Sequence, residues 1–263
     1  MAGKSITFSH AIVCRPSASC IDGLRAIDVG APELDIFKTH HQHYIDSLQA
    51  TGAHVQILDE APAFPDSVFV EDTALCLNEG AIIMKPGAPT RLGEAQLMKP
   101  VLENIYSNVV SINGPGSIEG GDILTTEREI LVGLSARTDM SGVSELSDLV
   151  SDWGYKVRIV NTPPDILHFK TDCSLLAENT VLATPKLAET GCFEGYEVVL
   201  TAPDESACAN AIRFNDVIIM PDGFPETFEK LVALGYQVKC VGNTEAAKLD
   251  GGMSCLSLRF TPS

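Results

Sequence analysis

The chain has 263 residues, of which 45% are hydrophobic, and carries a formal net charge of −17. Such an acidic surface promotes solubility and attracts cationic ligands, and it argues against nucleic-acid binding, which requires a basic face. The sequence has neither an apolar run long enough to span a membrane nor a secretory leader pattern, so we expect a single cytoplasmic domain over residues 1–263.

Amphipathic helices alternate with strand hairpins along the chain. The apolar periodicity predicts helices over 32–52, 91–107, 136–154 and 224–235. Apolar runs that are broken by short polar turns predict hairpins over 67–85, 121–134, 173–185 and 207–223. A fifth hairpin is expected to join the C-terminal strand MSCLSLRF to the N-terminal segment SITFSHAIVC, which would close a ring.

Three segments share the same passage from a helix to a strand. The helical pattern stops at Gly52, Gly154 and Gly235, and a valine follows three residues later in each case. Glycine suits the left-handed position that ends a helix. Hairpin-plus-helix units at intervals of about 40–50 residues predict an α/β fold built as a ring of about five units, with a central channel.

Polar side chains stand where four of these hairpins begin. They are Asp66, Glu71 and Asp72 in PDSVFVEDTA, Glu119 and Asp122 in GSIEGGDIL, His168 and Lys170 in ILHFKTDC, and Cys255 in DGGMSC. Because equivalent ends of repeated units face one centre, we expect these side chains to meet. A thiol beside an imidazole indicates a nucleophile with a general acid/base, and a glutamate can orient the imidazole.

The additional carboxylates favour a cationic substrate. Carboxylates near a thiol raise its pKa and hinder thiolate formation, and a bound cation reverses that effect. Carboxylates also match the planar N–H fork of a guanidinium group. Arg91 and Arg137 each follow the second strand of a hairpin, where they can grip the α-carboxylate of an amino acid.

Each of these residues also has a structural interpretation. Cys255 and His168 can be ordinary core residues, Asp122 can be only a turn residue, and Arg137 can pair locally with Asp139. The cluster His40-His41-x-His43 predicts an exposed helix face and not a metal site, since no carboxylate or cysteine stands at matching spacing.

Taken together, the motifs resemble those of the dimethylarginine dimethylaminohydrolases, within the guanidino-group-modifying (pentein) superfamily. The matching stretches are FPDSVFVEDTALC, KPGAPTRLGEA, EGGDILTTEREILVGLSARTDMSG, LHFKTDC and KLDGGMSCLSLRF, with RPSASCIDGL near the N-terminus. The resemblance spans nearly the whole chain and implies a five-module α/β propeller of ββαβ units around a central active-site channel.

The resemblance also implies a role for each matching position. Cys255 would be the nucleophile, and His168 would be the general acid/base with Glu119 as its partner. Asp72 would bind the guanidinium of the substrate, supported by Asp66 and Glu71. Arg91 and Arg137 would bind the substrate's carboxylate. Leu24 would lie in a lid loop, and the backbone carbonyl of Leu249 would accept from the α-amino group. No metal or organic cofactor is implied.

The implied reaction is hydrolysis of Nω-methylated arginines to citrulline and an amine through a covalent cysteine thiouronium. Arginine or agmatine deiminases and amidinotransferases are the enzymatic alternatives, and a ribosome anti-association-type binding protein is the non-enzymatic one. The deiminases usually have His-x-Asp where this chain has His168-Phe169-Lys170, and the loss of that carboxylate suits a methylated nitrogen. The expected partner is the small-molecule substrate, without nucleic acid or membrane, and a homodimer stays open.

Overall fold

The strands form five three-stranded sheets that share one topology, as seen in a computed structural model that describes residues 5–262. In each sheet an antiparallel hairpin is followed by a helical segment and then by a third strand, which pairs in parallel with the second strand of the hairpin. The five modules, in strand order, are β15-β1-β2, β3-β4-β5, β6-β7-β8, β9-β10-β11 and β12-β13-β14.

The strands are short, and the longest have five residues. They are β1 His10–Cys14, β2 His54–Leu58, β3 Ala74–Leu77, β4 Gly80–Ile83, β5 Val109–Ser111, β6 Ile123–Thr125, β7 Ile130–Leu134, β8 Val157–Asn161, β9 Cys173–Ala177, β10 Thr180–Ala183, β11 Glu197–Leu200, β12 Ile212–Phe214, β13 Val217–Pro221, β14 Gln237–Val241 and β15 Leu258–Phe260. The helices are α1 Leu34–Gln49, α2 Leu92–Glu103, α3 Met140–Ser151, α4 Pro185–Ala188, α5 Pro225–Ala233 and α6 Thr244–Ala247. None of them, within the described part of the chain, is long and apolar enough to cross a membrane.

The predicted hairpins are confirmed. The four internal hairpins turn between β3 and β4, β6 and β7, β9 and β10, and β12 and β13, and β15 pairs antiparallel with β1 in the register His10 to Phe260. The three predicted helix ends also hold, since Gly52, Gly154 and Gly235 have φ values of 87°, 85° and 89°. At these positions a side chain would be strained, which is why glycine stops the helix there.

Apolar packing closes the modules into a propeller. Five clusters of buried side chains each span two neighbouring modules, so that the packing runs from the first module to the fifth and back to the first. The closing cluster joins Ala11 on β1 and Phe37 on α1 to Ile219 on β13 and Val241 on β14. The innermost strands pack side by side, as β15 does beside β3 and β9 beside β12. The module starts therefore converge on one centre.

Two of the differences from the sequence prediction concern α1 and α3. His41 is buried, so the prediction of an exposed histidine face was wrong at this position, because His41 shares the apolar face of α1 with Phe37 and Tyr44. Burial lowers the pKa of His41 to about 4, which keeps this imidazole neutral. Helix α3 begins at Met140 and not at residue 136, because the Asp139 carboxylate caps it by accepting from the backbone N–H groups at its start.

Candidate active site

Eight of the ten residues that the sequence placed in a site line one cavity of about 210 Å³, where the hairpins begin. They are Leu24, Asp66, Asp72, Arg91, Arg137, His168, Leu249 and Cys255. The other two, Glu71 and Glu119, are buried behind the side chains that line it. A larger cavity of about 430 Å³ lies where the hairpins turn, near Glu79 and Glu127, but neither Cys255 nor His168 lines it. The smaller cavity is therefore the candidate active site.

In four modules a single 3₁₀ turn precedes the hairpin, and polar side chains of the site stand on this turn or, for Glu119 and His168, directly before it. The turns are Val70–Thr73, Gly120–Asp122, Phe169–Thr171 and Ser254–Leu256. The expectation that Cys255 opens a strand was therefore wrong, and so was the strand around Glu71 and Asp72. A strand sends adjacent side chains to opposite faces, whereas one tight turn buries both of these carboxylates at the centre.

Gly121 allows the imidazole and a carboxylate to approach the backbone closely. Its N–H donates to Asp72 Oδ1 across 2.8 Å. A Cβ at this position would lie 2.7 Å from His168 Nδ1 and 2.8 Å from Asp72 Oδ1, which is closer than real Cβ contacts permit. The glycine in the stretch EGGD is thus required by the side chains that meet there.

His168 is held by a buried carboxylate. Its Nε2 lies 2.6 Å from Oε2 of Glu119, whose other oxygen accepts from the backbone N–H of Gly87 at 2.8 Å. Burial alone would lower the pKa of His168, but the charge of Asp72 and the hydrogen bond to Glu119 outweigh it and raise the pKa to about 9. At neutral pH the imidazole is protonated and is ready to act as a general acid.

Cys255 lies at the cavity as a neutral thiol. Burial, followed by the charges of Glu71 and Asp72, raises its pKa to about 11. Two N–H groups point at the sulfur, with Gly252 N at 3.4 Å and Asn210 Nδ2 at 3.8 Å. A cation bound beside Asp72 would neutralise part of the charge that opposes thiolate formation.

Asp72 remains ionised because two cations face it. Burial alone would raise the pKa of Asp72, but the charges of His168 and Arg91 outweigh burial and lower the pKa to about 2. Arg91 Nη1 donates to Asp72 Oδ2 at 2.6 Å, and its Nε donates to Glu94 Oε2 at 2.9 Å. Its Nη2 reaches the backbone oxygen of Phe69 at 3.0 Å. Arg91 is therefore a fully buried residue in the cavity wall that already has partners on all three nitrogens.

Two carboxylates hold the segment 24–26 over the cavity. Asp66 Oδ1 accepts from Leu24 N at 3.0 Å, and Asp250 Oδ2 accepts from Ala26 N at 2.6 Å. Burial raises the pKa of Asp66. Asp250 has a φ of 58°, a backbone conformation that is uncommon for a residue other than glycine. The predicted lid position, Leu24, thus lies at the mouth with its backbone fixed to the site.

Arg137 is the more accessible of the two predicted arginines. Its side chain is 21% exposed and its Nη1 lies 3.6 Å from Glu119 Oε1. The local pair with Asp139 that the sequence left open is not formed, because Asp139 accepts from backbone N–H groups of α3 and Ser117. Arg137 therefore keeps donors that can face a ligand in the cavity.

Glu71 organises a buried ionic layer behind Cys255. Lys170 Nζ lies 2.5 Å and Arg259 Nη2 lies 2.6 Å from its Oε1, and Ser254 Oγ donates to Oε2 at 2.7 Å. Burial raises the pKa of Glu71, yet these two cations lower it overall. Because Ser254 directly precedes Cys255, this layer fixes the turn that carries the thiol. Asp122 has a similar structural role, since it accepts from Phe169 N at 2.8 Å.

Sequence reasoning missed the contribution of the fifth module. Asn210 stands just before β12, at the position that carries the polar residues in the other four modules, and it is buried against Cys255. The stretch ACANAIRF contained this signal, because a buried asparagine before an apolar strand is as unexpected as a buried carboxylate. Arg259, which lies on β15 within the stretch KLDGGMSCLSLRF, was also missed.

The side chains of Asp72, Glu119 and His168 bring ligand-type atoms within 4.8 Å of one another. These atoms already have other partners, since His168 Nε2 meets Glu119, and Asp72 accepts from Arg91 and Gly121. The charge on the imidazole further disfavours a metal ion there. That the site needs no metal stays a prediction.

The chain matches the family model described as arginine deiminase over residues 60–219. It is 36% identical over 254 residues to the N(G),N(G)-dimethylarginine dimethylaminohydrolase of Pseudomonas aeruginosa, which covers 96% of this chain and 100% of the relative. It is 30% identical over 253 residues to the protein of the same name from Streptomyces coelicolor, with 95% and 96% of the two chains covered.

A solved structure has the same fold. The crystal structure of DDAH from Pseudomonas aeruginosa, a cysteine-to-serine variant complexed with citrulline, superimposes with a TM-score of 0.94 at 36% identity, covering 97% of this chain and 100% of the other. The five-module propeller that the sequence predicted is thereby confirmed.

Proposed function

Because the chain belongs to the family of the dimethylarginine dimethylaminohydrolases, within the wider arginine deiminase family, we propose that it hydrolyses Nω-methylated arginines. The products are citrulline and dimethylamine or methylamine. The observation that carries this proposal is the meeting of Cys255, His168 and Asp72, from three modules, in one cavity. A thiol, an imidazolium and a guanidinium-binding carboxylate are the groups that this reaction needs.

Substrate binding follows from the charges around the cavity. The guanidinium docks on Asp72, with Asp66 nearby, and Glu71 supports the site from behind. The α-carboxylate faces the accessible Arg137, and Arg91, whose nitrogens already have partners, adds its positive charge from the wall of the same cavity. The α-amino group meets the backbone carbonyl of Leu249 under the lid segment at Leu24. A substrate held at both ends places its guanidinium carbon beside the sulfur of Cys255.

The chemistry begins when the bound cation offsets the carboxylates around Cys255. The thiol loses its proton to solvent, and the thiolate attacks the guanidinium carbon to form a tetrahedral adduct. His168, oriented by Glu119, gives its proton to the departing amine, and the C–N bond breaks to leave a planar thiouronium. Neutral His168 then takes a proton from water, which attacks the same carbon. As this adduct collapses, the C–S bond breaks and its hydroxyl proton passes to the departing sulfur, which releases citrulline and restores the neutral thiol.

The location of Lys170 favours methylated arginine over arginine. Its ammonium group pairs with Glu71 at 2.5 Å in the layer behind the nucleophile, and Lys170 does not line the cavity. The side chain that is an aspartate in the deiminases therefore offers no acceptor to the second guanidine nitrogen here. A nitrogen that carries methyl groups has fewer N–H donors and needs no such acceptor.

A substrate panel tests the proposal. Purified protein is incubated with asymmetric dimethylarginine, monomethylarginine, arginine and agmatine, and citrulline or its analogue and the released amine are quantified. Methylated arginines should turn over, with Cys255→Ser inactive. Turnover of arginine alone would identify a deiminase instead. Turnover of agmatine would contradict the role of Arg137 and Arg91, because agmatine has no carboxylate.

A further inference from the structure

The fifth module brings an amide to the sulfur. Asn210 is 5% exposed, lies outside the cavity lining, and its Nδ2 is 3.8 Å from Cys255 Sγ. Its Oδ1 accepts from the backbone N–H of Ser254 at 2.9 Å. Since an N–H donor occupies the oxygen side, the amide group is fixed with its own N–H group toward the sulfur.

A glycine makes this contact possible. A Cβ on Gly252 would lie 2.2 Å from Asn210 Cγ, so any side chain there would displace the amide. The Gly252 N–H itself donates to Cys255 Sγ at 3.4 Å. The DGGMSC loop therefore wraps around the Asn210 side chain, and the sulfur receives one backbone donor and one side-chain donor.

We propose that Asn210 is a further catalytic residue, whose side-chain amide donates to Cys255 Sγ and stabilises the negative charge of the sulfur as the thiolate forms. The proposal rests on the assignment of Cys255 as the nucleophile. Glu71 and Asp72 both oppose an anionic sulfur, so the site requires donors that carry no charge and do not compete with the substrate cation. An amide N–H group meets both requirements, and donors aimed at developing charge are a general means of catalysis.

The test measures the thiolate directly. Iodoacetamide alkylation is followed at pH 9 in the absence of substrate. Peptide mass spectrometry reads out the Cys255 peptide by itself, so alkylation of the exposed Cys240 does not contribute to the measured rate. Because a hydrogen bond to a charged group is lost, Asn210→Ala should be alkylated about tenfold more slowly. Its kcat should fall by about the same factor, while KM stays within about threefold because the amide does not line the cavity.

Two further variants separate this role from support of the loop. Asn210→Asp keeps the acceptor for Ser254 but replaces the donor with an oxygen, so it should be alkylated even more slowly than Asn210→Ala. Asn243→Ala is the matched control, since buried Asn243 donates to Gly251 O of the same loop at 2.9 Å without touching the sulfur. It should lower the melting temperature and leave the alkylation rate within about twofold.

Two results would overturn the proposal. One is alkylation of Cys255 at the wild-type rate in folded Asn210→Ala, or in Asn210→Asp if the alanine variant does not fold. The other is an equal slowing in Asn243→Ala, which would reduce Asn210 to loop support. Failure of the proposed function is recognised separately, because the wild-type protein would then not turn over methylated arginines, whatever the alkylation rates of the variants.

Discussion

Arg91 Nη1 donates to Asp72 Oδ2 across 2.6 Å, so a guanidinium of the protein itself already occupies one oxygen of the carboxylate that would bind the substrate. The same arginine binds Glu94, and burial raises the pKa of that carboxyl to about 7. Arg91 thus neutralises two buried acids beneath the cavity. Each oxygen of Asp72 has a second lone pair, so the substrate can bind without displacing Arg91.

Arg91→Met should therefore be severely destabilising. The variant leaves Asp72 and Glu94 buried without their cation, which typically costs about 3–5 kcal/mol. The free energy of unfolding in urea measures the effect. Lys38→Met is the control, since Lys38 forms an exposed pair with Glu60 at 2.7 Å and should cost less than about 1 kcal/mol. Equal losses in the two variants would show that the Arg91 pair is not a buried ionic contact in solution.

The alkaline limb of the pH–rate profile should reflect the titration of His168. Because its pKa is raised to about 9, kcat/KM for a methylated arginine should fall as the pH rises through about 9. Neutral His168 can no longer protonate the leaving amine. The measurement is a pH–rate profile from pH 6 to pH 11. A limb near 6.5, the ordinary value for histidine, would show that Asp72 and Glu119 do not hold the proton on the imidazole.

The same pKa shift predicts how stability depends on pH. The folded state holds the His168 proton more tightly than the unfolded state, so the stabilisation is fully present below pH 6.5 and is lost as the pH rises through about 9. The shift corresponds to roughly 3 kcal/mol. The stability difference between wild type and His168→Gln should shrink by about that amount between pH 6 and pH 10. An unchanged difference would contradict the shift.

Gly121→Ala should lose activity, whereas Gly154→Ala should lose stability. An alanine at 121 would push His168 and Asp72 apart, so activity should fall at least about a hundredfold from misplacement of the reacting groups. An alanine at 154 meets no atom within 4 Å but is forced into a φ of 85°. That variant should lose about 1 kcal/mol of stability and keep its kcat. Steady-state kinetics and urea unfolding of both variants measure the two effects. A wild-type kcat in Gly121→Ala would contradict the prediction.

Asp250→Gly should weaken substrate binding without harming the fold. Glycine relieves the left-handed backbone but removes the acceptor for Ala26 N, so the lid segment loses a fixed point. We expect KM to rise about tenfold and the melting temperature to hold or increase. Asp204→Gly, at a φ of 61° on the exposed surface, provides the same backbone relief away from the site. A KM that is unchanged in Asp250→Gly would show that this contact does not hold the lid.

Local chemistry explains what the sequence could predict of the fold. The four internal hairpins and the glycine helix ends were found because turn residues and the periodicity of apolar residues are signals contained within a few positions. The ring closure between β15 and β1 followed from counting repeats. The 3₁₀ turns were missed, because three residues such as Ser254–Leu256 form no periodic pattern and border strands whose pattern is stronger.

Contacts between distant residues explain what it could not predict of the site. Glu71 meets Lys170 and Arg259 at separations of 99 and 188 positions, and Asn210 meets Cys255 at 45. Spacing along a single sequence carries no information about such pairs. The burial of Arg91 against Asp72 was unpredictable for the same reason, although both residues line the cavity.

The central claim is that Cys255 forms a covalent intermediate during the hydrolysis of methylated arginine. Rapid-quench mass spectrometry during turnover of asymmetric dimethylarginine tests it most directly. We expect a transient adduct on the Cys255 peptide with the mass of citrulline minus water, formed as dimethylamine is released and absent in Cys255→Ser. Release of citrulline and dimethylamine with no adduct on Cys255, and with turnover surviving in Cys255→Ser, would contradict the account.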